Sequence, residues 1–253
     1  MKKDQEGFSM PLAAPAYAPP PYWARPEGKL LLVFFQADRN ALEYEIPEPL
    51  VLAPDAVCLA WISDLSQPPH TFEFYHEALT AIRVRYESIT GWYINYLWTS
   101  NDQAMLFARE VYGWPAQLCN DERLRYSGSQ ILGECNRNEV RLMRVVFNVN
   151  SPPPHKREKP LEDEFFKLLA GDFLQIRKIP SPEKGGKALK QLIHIPGEDF
   201  QCHELWRGDA SLEFGKSGYH PNLHRLDPKK IVGAYFSRAE WVVPYSKIIW
   251  EDS

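Results

Sequence analysis

The residues from Tyr75 to Tyr86 alternate with period two. Ala78, Thr80, Ile82, Val84 and Tyr86 fall on one face, and Glu77, Leu79, Ala81, Arg83 and Arg85 on the other. Glu77 is the carboxylate with the strongest claim to chemistry. Held among aromatic side chains it would have a raised pKa and could work as a general acid or base near neutral pH. Alternation alone favours a glutamate facing solvent, so the strand pattern does not decide between the two. Its neighbour His76 points to the opposite face and reads as structural. Arg109 and Glu110 form a second charged pair, but adjacent helical residues cannot share a face. A structural ion pair explains them as well as catalysis does, because buried charges need partners.

These side chains need elements to hold them. Ser100 to Tyr112 has the marks of a short helix. Ser100 stands at the N-cap with Gln103 completing a capping box, Ala104, Ala108, Val111 and Tyr112 form an apolar stripe, and Gly113 and Pro115 end it. That helix would deliver a tight loop, Gly113 to Leu118. Leu30 to Phe35 is a continuous apolar run, the pattern of a strand buried on both faces. Further strands are expected at Val57 to Ile62, Trp92 to Thr99, Val140 to Val149 and Phe173 to Ile179. The segment SPPPHKREKPLED reads as a charged connector, followed by a helix over Glu162 to Ala170. Lys184 to Lys187 (KGGK) fits a hairpin loop, and Lys229 to Ala234 a helix. The proline-rich start, residues 1–25, reads as an extended arm on a single domain spanning 1–253.

Bulk composition supports a folded enzyme-sized domain. The chain has 253 residues, 44% hydrophobic and 13% aromatic, enough for a sizeable core. Net charge is −4, which argues against an electrostatic grip on nucleic acid. The 22 prolines favour many short strands over long helices. The four cysteines are scattered with no CxxC pair, and no apolar stretch approaches the roughly 18 residues of a membrane span. A cytoplasmic protein with reduced thiols and no membrane partner is expected. No GxGxxG, P-loop, GxSxG or HExxH occurs. His220 and His224 are spaced i, i+4, yet Pro221 between them weakens a metal pair, so no metal and no cofactor is expected.

The stretch from Ala108 to Leu118 (AREVYGWPAQL) resembles a motif of the acetoacetate decarboxylase family, which runs glycine-arginine-glutamate, tryptophan-glycine, proline-lysine-lysine-leucine. Four further segments follow in the family's order: PLAAPAYAPPPY, the run from Leu30 to PEPL at Leu50, Tyr75-His76-Glu77, and the C-terminal Trp206-Arg207-Gly208 with LDPKKIVGAYF and RAEWVVPY. The resemblance implies an α+β fold, a double β-barrel or curved antiparallel sheet with a few short helices, and a homo-oligomer. It also implies a lysine that condenses with a β-keto acid, its amine kept neutral by desolvation and a neighbouring cation. Here Ala116 and Gln117 occupy the two lysine positions, Gly28 the position of an arginine (with Arg25 nearest), and Ala60 that of a second glutamate.

The resemblance places Glu77 in the cavity. Glu77, Arg109 and Glu110 are therefore the candidate catalytic residues, and Arg25, Tyr75, Trp98, Trp114, Ala116 and Gln117 the candidate substrate-binding ones. Gln117, Arg25 and Arg109 would stabilise an enolate or alkoxide. The expectation is an enzyme acting on a small molecule without a Schiff base: a cyclase, isomerase, dehydratase or lyase on a carbonyl-rich or polyene intermediate of secondary metabolism. Two alternatives stand beside it, non-covalent decarboxylation of a β-keto acid and a non-catalytic small-molecule binder. Lys178, on a candidate strand, is the lysine considered for a relocated Schiff base.

Overall fold

A computed structural model describes residues 6–24, 28–66, 74–150 and 159–252. In chain order these form β1 (Tyr22–Ala24), β2 (Lys29–Gln36), α1 (Arg39–Glu45), β3 (Val51–Leu52), β4 (Val57–Ser66), β5 (Phe74–Tyr86), β6 (Ile89–Thr99), α2 (Asp102–Glu110), β7 (Ala116–Leu118), β8 (Asp121–Ser127), β9 (Gln130–Arg137) and β10 (Val140–Val149). There follow α3 (Lys159–Leu169), β11 (Asp172–Ile179), β12 (Leu189–Ile195), β13 (Glu198–Phe214), a 3-10 turn at Leu223–Leu226, β14 (Lys230–Val243) and β15 (Lys247–Glu251). The fold is mostly sheet with three α-helices among the described residues.

The strands join one large mixed sheet in the order β15-β12-β11-β6-β5-β4-β2-β14-β13-β10-β9-β8. Most neighbours are antiparallel, as expected, but β6 pairs in parallel with both β7 and β11. The sheet curls: β8 and β9 pack back over β4. At Gly133 a Cβ would stand 2.8 Å from Ile62 Cδ1 and 3.2 Å from Leu31 Cδ2, so the missing side chain permits that approach.

Curling buries the central strands on both sides. Leu30, Leu32 and Phe34 of β2 join Leu59 and Trp61 of β4 in one core, while Leu31, Val33 and Phe35 join Cys58, Ala60 and Ile62 in the other. The apolar run Leu30 to Phe35 is thus a strand without a wet face. On β5 the expected alternation holds, with Tyr75, Leu79 and Ala81 on the first face and Ala78, Ile82 and Val84 on the second.

The helix before the Gly113 loop differs from expectation in its cap. Asn101, not Ser100, is the N-cap, and its side-chain oxygen accepts the Ala104 N–H at 2.8 Å. The Ser100 hydroxyl accepts the His76 N–H instead, at 2.9 Å. Gly113 has φ +71°, and a Cβ there would lie 2.5 Å from Arg177 Cα, so both backbone hand and space require glycine. The segment after it is not all loop: Ala116–Leu118 is β7. Lys229 to Ala234 is not a helix either. β-branched Ile231 and Val232 lie in β14, which pairs with β2 on one side and β13 on the other. Lys184 to Lys187 lies between antiparallel β11 and β12, as a hairpin connection would. Residues 151–158 of the expected connector lie outside the described residues.

Asn101→Ala should lower the unfolding free energy by about 1 kcal/mol. Gly113→Ala should cost more, from the strained φ and the backbone contact together. Ser100→Ala should cost less than either. Urea unfolding midpoints of the three variants check the order.

Candidate active site

On the first face of β4, β5 and β6 lies a cavity of about 350 Å³. Its floor is Leu59, Trp61 and Leu65 of β4, Tyr75, Glu77 and Leu79 of β5, and Trp92, Ile94 and Leu97 of β6. The walls come from Phe107 of α2, Trp114 beyond it, Phe166 and Leu169 of α3, Phe173 of β11, Phe200 of β13 and Trp241 of β14. The interior is overwhelmingly aromatic and aliphatic.

Glu77 is the only acidic or basic side chain among the described lining residues, apart from tyrosine hydroxyls. Opposite Ser63 on β4 and Thr99 on β6, it projects with Tyr75 and Leu79 into the cavity. Among the described residues none hydrogen-bonds its carboxyl and none sets a charge against its burial. Desolvation therefore pushes its pKa up to about 8, so the group is chiefly protonated at neutral pH.

Tyr75 and Trp114 also line the cavity. Trp114 stacks on Tyr112 with ring centroids 4.9 Å apart, and meets Phe107 and Phe173 edge-on. Ala116 is buried and shares this face, because β7 pairs it with Leu97, which itself lies opposite Leu79. It thus sits two strand spacings, roughly 10 Å, from the strand of Glu77, and is not among the lining residues.

Four of the other expected site residues lie elsewhere. Trp98 is fully buried on the second face, where its Nε1–H donates to His220 Nε2 at 3.1 Å. Asn95 is the cause. Thr80 pairs with Tyr96 but Ala81 with Ile94, so Asn95 is an extra residue in β6. This β-bulge reverses the alternation, leaving Trp92, Ile94 and Leu97 on the cavity side and Tyr96 and Trp98 on the other. Gln175 holds the bulge by bonding both the N–H and the carbonyl of Ile94, at 3.1 and 3.0 Å.

Gln117, next to Ala116 on a strand, necessarily faces away from the cavity, and its side-chain oxygen accepts from Arg137. Arg109 is exposed and donates to the Ala116 carbonyl at 3.1 Å. Glu110 accepts the Tyr17 hydroxyl at 2.5 Å, tying the N-terminal arm to α2. Arg109 thus anchors backbone and Glu110 a tyrosine side chain, and neither is among the cavity-lining residues. Arg25 lies outside the described residues. Lys178 is exposed and not part of the lining. His76 binds Asp64 at 2.7 Å on the face away from Glu77, and burial pushes the His220 imidazole down to about 4, keeping it neutral.

Sequence reasoning missed Trp61, Trp92, Phe200 and Trp241 as cavity residues. Trp61 alternates with Leu59 and Leu65, a signal present in the sequence. Which of its two faces held the cavity depended on the register with β5.

In its chemistry the site is an aromatic chamber with one carboxyl that burial keeps chiefly protonated at neutral pH. It can bind an apolar small molecule and exchange a proton with it.

Comparison with known proteins adds the family. The model of the family described as acetoacetate decarboxylase matches residues 9–252. Acetoacetate decarboxylase of Acidiphilium cryptum is 32% identical over 246 residues, covering 97% of this chain and 95% of that protein. A solved acetoacetate decarboxylase structure superposes with TM-score 0.86 at 22% identity, covering 99% of both chains. The enduracididine biosynthesis enzyme MppR, solved with the condensation product of pyruvate and imidazole 4-carboxaldehyde, superposes with TM-score 0.76 at 15% identity, covering 96% of this chain and 95% of that one. Matched along nearly its whole length, this chain belongs to the acetoacetate decarboxylase family.

Proposed function

We propose that this chain is an enzyme that transforms a carbonyl-bearing small molecule by acid–base chemistry at Glu77, without a Schiff base. The reading rests above all on the environment of Glu77, a lone carboxyl that desolvation keeps protonated to about pH 8. Ala116 and Gln117 stand where the resemblance to the family expects its two lysines. Ala116 offers no nucleophile and Gln117 faces away. No lysine is among the described cavity residues.

The protonated carboxyl donates to a substrate carbonyl oxygen or to a leaving hydroxyl. The carboxylate so formed takes a proton from the adjacent carbon, and the group ends the cycle as it began. Enolisation, isomerisation, cyclisation and dehydration all fit this sequence; in a lyase step of retro-aldol type the carboxylate instead takes the β-hydroxyl proton as the carbon–carbon bond breaks and the protonated carbonyl becomes the enol. The aromatic walls suit a carbonyl-rich or polyene substrate of the kind met in secondary metabolism. MppR, which holds a carbonyl condensation product on the same fold, supports a range of chemistry for such a scaffold.

The test uses 4-hydroxybutan-2-one in D2O, followed by proton NMR. Wild type should speed α-proton exchange and loss of water above the buffer rate, and Glu77→Gln should lower that rate by about 10²-fold or more. The rate should fall as pH rises through about 8, where the acid form is lost. Equal rates for both proteins would remove the reading. Borohydride added with acetoacetate should leave the intact mass unchanged, whereas a trapped adduct would show covalent catalysis.

The same carboxyl should govern stability. Its folded pKa of about 8 lies above the ordinary 4.5, so the stability it contributes is greatest below about pH 4.5 and is lost as pH rises through about 8. At pH 9 Glu77→Gln should be the more stable protein, by an amount on the order of a few kcal/mol, and at pH 5 the gap should shrink. Guanidinium unfolding at the two pH values measures the difference.

A further inference from the structure

Helix α3 gives Phe166 and Leu169 to the cavity wall, and Ala170 and Gly171 continue the lining past its end. Two sets of contacts hold that wall in place. In the middle of the helix Phe165 is fully buried, its ring centroid 5.2 Å from Tyr235 and 6.2 Å from Phe200. Beside it Glu164 accepts the Tyr235 hydroxyl at 2.9 Å and pairs with Arg207 at 3.0 Å. These ties run to β13 and β14. The C-terminus of α3 is tied instead to β5 and β6, which lie in the sheet on the other side of β4 and β2.

That second tie gathers on one side chain. The last carbonyls of a helix have no partner within it. Those of Leu168 and Ala170 both accept from Nη2 of Arg83, the former at 3.2 Å, and that of Leu169 between them accepts Trp92 Nε1–H at 3.0 Å. Arg83 also lies over the Trp92 ring, its Cζ 4.8 Å from the centroid, and pairs with Asp55 at 3.2 Å. Register brings this about, since Arg83 of β5 stands directly opposite Trp92 of β6. The Arg83 side chain is only 12% exposed, so its contacts are made largely out of solvent. A cation at a helix C-terminus is favoured by the helix dipole. Only a planar guanidinium can serve two carbonyls, a carboxylate and a ring at once. Arg83 is not itself a lining residue, but Trp92, Leu169 and Ala170, which it touches, all are.

We propose that Arg83 is the positioning residue that fixes the α3 wall of the cavity, and so determines how closely Phe166, Leu169 and Trp92 enclose the substrate. The inference rests on the reading of this cavity as the reaction site. Glu77 is held separately, by the ladders of β5 with β4 and β6. Loss of Arg83 therefore loosens the grip on substrate and leaves the proton transfer in place.

Arg83→Met keeps a stem that packs on Trp92 while removing the charge and every donor. With 4-hydroxybutan-2-one it should raise KM about tenfold and leave kcat within about twofold, the pattern of lost binding rather than lost chemistry. A mere loss of folded protein would lower the apparent kcat at unchanged KM. Arg83→Lys, which keeps the charge but not the planar fork, should raise KM about threefold, and it carries the comparison if Arg83→Met does not fold. Amide hydrogen exchange read by mass spectrometry should quicken about tenfold over residues 166–171 in Arg83→Met, with β2 and β4 unchanged. Binding of acetophenone, an uncharged aromatic ketone, should weaken by the same factor as KM rises in calorimetry. Unchanged exchange at 166–171, equal quickening in β2 and β4, a lower kcat at unchanged KM, or no binding of acetophenone by wild type overturns the proposal. The acid–base reading fails separately: if wild type binds acetophenone but does not turn over 4-hydroxybutan-2-one, the role of Glu77 falls, and hydrogen exchange and acetophenone affinity still decide on Arg83.

Discussion

Everything at this site depends on the central strands having no wet face. β2, β4 and β5 carry a core on each side, so a polar side chain on either face enters a region with little water to solvate it. Most positions accept this with apolar residues. Glu77 does not, and nothing described beside it supplies a charge. Its raised pKa is the direct result of that placement, since ionising it would leave a bare carboxylate in an aromatic chamber. One feature of the architecture thus produces both the two-sided burial of the sheet and the raised pKa of the one carboxyl among the described lining residues.

The bulge at Asn95 sorts the aromatic side chains of β6 between the two cores. Without the extra residue, Trp98 would stand on the same side as Trp92. With it, Trp92 closes the cavity while Trp98 and Tyr96 stack in the other core and enclose a neutral His220. A bulge leaves one residue unmatched in the ladder and would expose backbone groups in the interior. Gln175 bonds both polar groups of Ile94, and Thr80 donates to the Asn95 side chain at 2.8 Å. These buried polar contacts fix where β6 changes face, and with it the width of the cavity.

What the sequence revealed follows from the range of the interactions involved. Strand β5 with its two faces, the two-sided burial of β2 and the helix α2 are set by local periodicity and turn residues, and all could be read. Glu77 and Trp114 came from the resemblance to the family. Trp98 could not be placed, because a single inserted residue reverses a face and Asn95 looks locally like any strand position. Gln117 was misread for a related reason. Three residues at Ala116–Leu118 form a strand only because β6 is there to pair with them, and that pairing turns position 117 outward. The helix expected at Lys229 to Ala234 failed likewise, since its length fits a helix while its two strand neighbours come from distant parts of the chain.

Desolvation also links this chain to the chemistry that its family resemblance implies. A dry cavity disfavours any charged form, so it lowers the pKa of an amine and raises that of a carboxyl. The same walls can therefore tune a lysine to be a neutral nucleophile or a glutamate to be a neutral acid, each active near pH 7. Among the described lining residues there is no lysine to tune, and Glu77 is the carboxyl on which burial acts. Burial acts on whichever ionisable groups the lining presents, and here it brings the carboxyl of Glu77 to a pKa near neutral pH.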